Sequence, residues 1–274
     1  METPNLNNLW AGLLVEELVR NDIKLFVIAP GSRSAPLAVE AFRNPKAETV
    51  VHFDERGAAF FALGSGRMDK PAAVICTSGT AVANCWPAVA EAYYSGLPLV
   101  ILSADRPPEL QACAANQTMD QARLFGSHVR AHLELPCPDV QMPPEAVLTK
   151  VDAVLAAGLG RERGPVHINC MFREPLIPTP EQNVRQGFHT DRLVNWETSG
   201  LPFTRWEETG RRFSSLQQSE LVDRLCATNK GLFIIGRLHT SAEREAALEL
   251  ANKLQWPVFA DITSGCRRFD RSRC

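Results

Sequence analysis

The sequence predicts an α/β protein: a doubly wound parallel sheet followed by a second, incomplete Rossmann-like α/β unit. Short runs that are apolar on both faces alternate with helix-like stretches, the pattern of parallel strands buried between two layers of crossover helices. Between about Pro178 and Trp196 this pattern breaks into Pro, Gln, Asn and Thr without apolar periodicity, which marks a linker. The expected division is therefore 1–178, a linker at 179–195, and a partial second domain at 196–274.

The elements follow in order. From Asn5 to Arg20, Leu9, Leu13, Leu14 and Leu18 recur at helical spacing with charges opposite, an amphipathic helix that Asn21-Asp22 ends. Leu25–Ile28 is then a strand, Ala35–Phe42 a helix, Thr49–Phe53 a strand and Arg56–Met68 a helix. Ala73–Cys76 and Leu99–Leu102 are strands around a helix at Thr80–Tyr94, and a helix at Pro144–Leu159 precedes a strand at Val166–Ile168. After the linker, Ser219–Cys226 and Ser241–Leu254 read as helices, and Leu232–Ile235 and Val258–Ala260 as strands. One βαβ unit buries too little for an adequate core, so the segment after Trp196 is expected to be loosely packed and the second domain cut short.

Length and charge narrow the function classes. The 274 residues suit two domains. A formal charge of -2 gives no field favouring nucleic acid or an anionic membrane, and no apolar run reaches the roughly 18 residues of a membrane span. The N-terminus lacks a signal-peptide layout, so a cytoplasmic protein is expected. Eight cysteines without a C-x-x-C pair, several inside apolar runs, read as reduced and structural. The six histidines make no H-E-x-x-H or cluster, and no metal site is expected within the chain.

Ligands of an open α/β sheet bind beyond the C-terminal ends of its strands. After the first strand, Pro30-Gly31-Ser32-Arg33-Ser34 offers an anion seat: Gly31 lets the backbone approach a ligand and Arg33 can bind a carboxylate bidentately. The alternative is an ordinary turn with a surface arginine. After the second, Asp54-Glu55-Arg56-Gly57-Ala58-Ala59 presents Glu55 beside small residues that leave room for a ring. A carboxylate in such a dry pocket exchanges a proton with a heterocycle; the alternative is helix capping by the acidic pair. After the third, Cys76-Thr77-Ser78-Gly79-Thr80-Ala81 is neither a Walker loop, a dinucleotide fingerprint nor a nucleophile elbow, which argues against kinases, nicotinamide dehydrogenases and serine hydrolases. After the fourth, Asp105-Arg106-Pro107-Pro108 sets Arg106 on the same rim as Arg33. Two arginines suit a polycarboxylate, unless they pair internally with Asp105 or Asp54.

Six segments, in order over the first 180 residues, make a resemblance specific: Pro30–Leu37, Asp54–Phe60, Thr77–Asn84, Ser103–Leu110, Ala115–Thr118 and Phe172–Leu176. Together they resemble the MenD family, the thiamine-diphosphate-dependent 2-succinyl-5-enolpyruvyl-6-hydroxy-3-cyclohexene-1-carboxylate synthases of menaquinone and phylloquinone biosynthesis. The resemblance implies that 1–178 is a pyrimidine-binding domain in which Glu55 bonds the aminopyrimidine ring and so promotes formation of the thiazolium ylid. It implies Gly79, Thr80 and Asn84 at the cofactor as well, and Ser32, Arg33, Arg106, Asn116 and Gln117 at the substrates, 2-oxoglutarate and isochorismate. A homodimer or homotetramer is implied when the protein is full length.

The family's Mg²⁺ and diphosphate sit on a Gly-Asp-Gly segment in a third domain, and this chain has no such segment. Ala115 replaces a family glycine, Cys170-Met171 stands where a proline often precedes Phe-Arg-Glu-Pro-Leu, and Cys266–Cys274 reads as a broken end. A truncated, inactive chain is therefore expected. The competing readings are another thiamine-diphosphate enzyme, of the acetolactate synthase or 2-oxo-acid decarboxylase type, and a non-catalytic fragment. The Ser-Arg-Ser-Ala-Pro and Ala-Asp-Arg-Pro-Pro segments argue against the former.

Overall fold

The computed structural model describes residues 5–179, 190–207 and 213–267, and the chain divides into two compact units, Met1–Glu208 and Thr209–Cys274. The first unit contains α1 (Leu6–Arg20), β1 (Leu25–Ile28), α2 (Ala35–Arg43), β2 (Glu48–Val51), α3 (Glu55–Arg67) and β3 (Ala72–Cys76). It continues through α4 (Thr80–Asn84), α5 (Trp86–Ser95), β4 (Leu99–Asp105), β5 (Ala131–Leu135), α6 (Pro144–Leu159), β6 (Pro165–Met171) and α7 (Val194–Ser199). Asn5 caps α1 by accepting the Asn8 N–H at 3.0 Å, and Asn21 ends the helix before Asp22 turns left-handed at φ 62.

All six strands are parallel, in the order β2-β1-β3-β4-β6-β5. β3, β4 and β6 are buried at every position, which is why their sequences are continuous apolar runs. Helices cover both faces, as a doubly wound fold requires. One core layer joins α1, α2 and α6, with Trp10, Leu14 and Leu148 fully buried. The other joins α3 and α5 through small residues, Ala58, Ala62, Ala88 and Ala92.

Three features depart from expectation. β5 is an edge strand, partly exposed along Ala131-His132-Leu133-Glu134; its polar positions hide it from a search for apolar runs. The helix expected over Thr80–Tyr94 breaks at Cys85 into α4 and α5, because Pro87 in the first turn of α5 has no N–H to give and its ring clashes with the preceding turn. Finally, the boundary between units lies beyond the expected linker, of which 180–189 fall outside the described residues.

The reason for that shift is packing. Leu193 and Trp196 are buried in the first unit's core, each burial stabilising by about 1.5–3 kcal/mol. The Arg20 guanidinium stacks 3.8 Å over the Trp196 ring and donates to the Trp196 and Leu201 carbonyls. Glu17 accepts the Trp196 indole N–H and the Phe203 N–H (2.6 Å), while Asp152 accepts the Thr204 N–H (2.6 Å). The stretch from Leu193 to Thr204 is thus clamped rather than loosely packed.

The second unit contains α8 (Ser215–Ala227), β7 (Phe233–Ile235), α9 (Ser241–Leu254) and β8 (Val258–Ala260), with β7 and β8 parallel. Reciprocal capping boxes, Ser214/Gln217 and Thr240/Glu243, start its helices. Ile235 and Ala251 are buried, whereas Ile234 and Phe259 are exposed. As the sequence leads one to expect, this βαβ unit encloses little core.

Candidate functional site

The chain leaves β1 for β2 on one side and returns to β3 on the other, so a crevice opens beyond the C-terminal ends of β1 and β3, the place where doubly wound sheets bind ligands. Glu55 opens α3 behind the N-cap Asp54, whose carboxylate accepts the Gly57 N–H at 2.8 Å. Capping therefore belongs to Asp54 and leaves the Glu55 carboxylate free to face outward. The Asn84 side chain, at the end of α4, lies 3.5 Å from Glu55 Oε2, at the outer limit of a hydrogen bond. Thr80 and Asn84 are exposed, Gly79 is buried and Glu55 is half-buried.

One sequence expectation is corrected here. Gly57 does not leave room for a ring, since a Cβ there would lie 2.3 Å from the His52 imidazole. At Gly31 the missing side chain makes room for Thr77, since a Cβ there would lie 2.4 Å from Thr77 Cβ. Both glycines serve close packing between neighbouring elements. Glu55 itself is half-buried.

In the turn after β1, Arg33 is 8% exposed. It donates Nη1 to the Phe172 carbonyl at 2.9 Å, and its Nη2 lies 3.3 Å from Glu174 Oε1. Its Nε is buried without a hydrogen-bond partner. Arg106 donates Nη1 to the Gln117 carbonyl at 2.8 Å. Burial and the neighbouring Arg33 cation pull the Arg106 guanidinium below its ordinary pKa, a sign that two cations share this rim. The internal pairing weighed for the arginines takes another form: Asp105 Oδ1 accepts the Arg106 backbone N–H at 2.7 Å, and Arg33 pairs with Glu174. Ser32 and Asn116 are exposed. Gln117 is tied down, its Nε2 donating to the Ser78 carbonyl at 3.0 Å and its own carbonyl accepting from Ser78 Oγ at 3.2 Å.

Beneath the rim runs a buried polar chain that the sequence reading did not single out. Ser103 Oγ contacts both His167 Nε2 (2.7 Å) and Asn169 Oδ1 (2.8 Å), and Asn169 Nδ2 donates to Asp105 Oδ2 (2.9 Å). The Ser103 hydroxyl has one hydrogen, which Asn169 Oδ1 must receive. His167 therefore donates from Nε2 and accepts at Nδ1 from His132 Nδ1, 3.1 Å away. Burial and the neighbouring His132 push the His167 pKa down to about 3, which keeps the ring neutral as this assignment requires. Burial raises the Asp105 carboxyl, while the Asn169 and Arg106 N–H groups lower it. The signal was present in β6 as His167 and Asn169, polar residues at alternate positions of an otherwise buried strand. Among the described residues no group of three or more His, Cys, Asp or Glu side chains converges as a metal site, and the seven cysteines among them are all free thiols.

Comparison with known proteins adds the family. Residues 10–124 match the thiamine pyrophosphate enzyme, N-terminal TPP binding domain. The chain is 45% identical over 275 aligned positions to the 2-succinyl-5-enolpyruvyl-6-hydroxy-3-cyclohexene-1-carboxylate synthase of Salinibacter ruber, covering 100% of this chain and 46% of that protein. It is 44% identical to the synthase of the same name from Rubrobacter xylanophilus, over 97% of this chain and 45% of the relative. The chloroplastic protein PHYLLO of Arabidopsis thaliana is 42% identical over 96% of the chain, which spans 16% of that protein. The chain spans about half the length of the bacterial relatives it matches. Residues 10–124 thus match a thiamine pyrophosphate enzyme domain, and the chain as a whole is similar to the N-terminal half of these synthases.

Proposed function

We propose that this chain forms the ring-binding and substrate-orienting half of a thiamine-diphosphate-dependent synthase, one that decarboxylates 2-oxoglutarate and adds the four-carbon unit to isochorismate. The observations that carry this reading are a carboxylate with spare acceptor capacity, Glu55, at the start of the helix after β2, and two neighbouring guanidinium groups, Arg33 and Arg106, after β1 and β4. The donor set fits an aminopyrimidine, which needs a carboxylate at one ring nitrogen and small or amide side chains around it. Glu55 would hold the ring with Asn84, Gly79 and Thr80 beside it. Thiamine diphosphate supplies a stabilised carbanion equivalent when bound.

The chain's own residues do the rest. Glu55 holds a proton at the ring nitrogen or gives it up, and Asn84 orients its carboxylate. Arg33 and Arg106 bind substrate carboxylates; the buried, unbonded Nε of Arg33 is a donor that a second carboxylate oxygen satisfies. Ser32, Asn116 and Gln117 line the same rim. Mg²⁺ and the diphosphate would be held by residues outside this chain. A homodimer or homotetramer in the cytoplasm completes the reading. In the complete protein, Glu55→Gln is expected to lower kcat by at least a hundredfold with an unchanged circular dichroism spectrum, and turnover within threefold of wild type would remove Glu55 from this role.

A further inference from the structure

One peptide unit of the β3 turn is gripped from both sides by the same loop. The Ser78 carbonyl accepts Gln117 Nε2 at 3.0 Å, and the Gly79 N–H of that same peptide donates to Gln121 Oε1 at 2.8 Å. Gly79 has φ 78 and ψ -143, a backbone region that side-chain-bearing residues avoid, and a Cβ there would meet Gln117 at 3.0 Å. Local preference does not hold this turn; the two glutamines do.

Gln121 is 1% exposed, and every polar atom of its side chain is used. Besides accepting from Gly79, it donates Nε2 to the Ala104 carbonyl (3.2 Å) and to Asn169 Oδ1 (2.8 Å). A single side chain thus joins the ends of β3, β4 and β6. The loop that carries it has four non-glycine residues at positive φ, Ala112, Ala114, Gln117 and Arg123, so its shape also depends on tertiary anchors. Between Arg106 and Gln121 the loop holds Asn116 and Gln117, and Arg106 itself donates to the Gln117 carbonyl.

We propose that Gln121 is a positioning residue: by fixing the plane of the Ser78–Gly79 peptide it locks the Arg106–Gln117 segment in register with the Gly79–Thr80 turn. The coupling of substrate rim to cofactor turn rests on the functional reading above, whereas the grip on the peptide does not. The test therefore has two arms. In the first, hydrogen exchange of ¹⁵N-labelled 274-residue chain is followed at Gly79. Wild-type Gly79 should be protected at least tenfold over an open loop amide; Gln121→Leu should abolish that protection while leaving Ile101 and Leu102 of β4 within threefold. An unprotected Gly79 in the wild type overturns the proposal without any variant.

The second arm is a double-mutant cycle in the complete protein with Gln121→Leu and Arg106→Gln, read as the KM of the carboxylate substrates. If Gln121 acts through the Arg106 segment, the effects are less than multiplicative, because the second change removes what the first has already displaced. Multiplicative effects overturn the coupling. A silent Arg106→Gln refutes the substrate reading instead, and the exchange arm still decides the grip.

Discussion

Two buried groups should give this protein's stability a flat-topped pH profile. Glu17, 0% exposed, faces Asp152, 1% exposed, and burial, then the Asp152 carboxyl, raise its pKa to about 8 against the Phe203 and Trp196 N–H groups. A carboxyl raised in the folded state stabilises while protonated, so its contribution is present below about pH 4.5 and is lost as pH rises through about 8. His167, lowered to about 3, has the opposite sign: its contribution is present above about pH 6.5 and is lost as pH falls toward 3. Each slope is at most about 1.4 kcal/mol per pH unit. Between pH 4.5 and 6.5 the two oppose each other, and from pH 6.5 to 8 only the Glu17 loss remains, about 1–2 kcal/mol after allowance for solvent near the pair.

Asp152→Asn separates them. It removes the proton-sharing partner while keeping one oxygen for the Asn21 or Thr204 donors, at a cost of about 1–3 kcal/mol near pH 5. Its penalty should shrink by about 1–2 kcal/mol at pH 8, where the wild type has lost what the pair supplied. Urea midpoints from pH 4 to 8.5, followed by near-ultraviolet circular dichroism, measure both curves. A wild-type stability that climbs from pH 6.5 to 8, or an unchanged slope in Asp152→Asn, would refute the reasoning.

Two other outcomes are expected. Arg106→Gln in the complete protein should raise the KM of a carboxylate substrate about 10- to 100-fold, the worth of a charged hydrogen bond, with little change in melting temperature because the side chain is only partly buried; unchanged kinetics would assign it to the loop alone. Gly31→Ala should destabilise the first unit by about 1–3 kcal/mol, since the added Cβ meets Thr77 at 2.4 Å, and an unshifted urea midpoint would show that Thr77 can move aside.

The layered parallel sheet was legible because β3, β4 and β6 are buried on both faces and so must be apolar throughout. The rim was legible because strand-end turns follow from strand positions: Arg33 and Arg106 do occupy one rim, and Glu55 does open the helix after β2. β5 was not legible, since an edge strand needs no apolar run. Glu17 was not either; on a helical wheel it falls between Trp10 and Leu13 on the buried face, and the partners that satisfy it there, Trp196 and Phe203, lie far along the chain.

What the sequence by itself determined is therefore most of the elements and their order, which depend on local periodicity, together with the residue types at the strand ends and the segments that carry the family resemblance. What the tertiary structure alone decided is which polar groups meet. Gly31 and Gly57 became packing glycines because Thr77 and His52 occupy their space, and Gln121 became a tie because three strand ends converge on it. Leu193–Thr204 joined the first unit because Arg20, Glu17 and Asp152 offer it partners from two helices. The physical reason is range: periodicity is written in neighbours three or four positions apart, whereas the buried donors and acceptors named here find partners from 17 to 186 positions away.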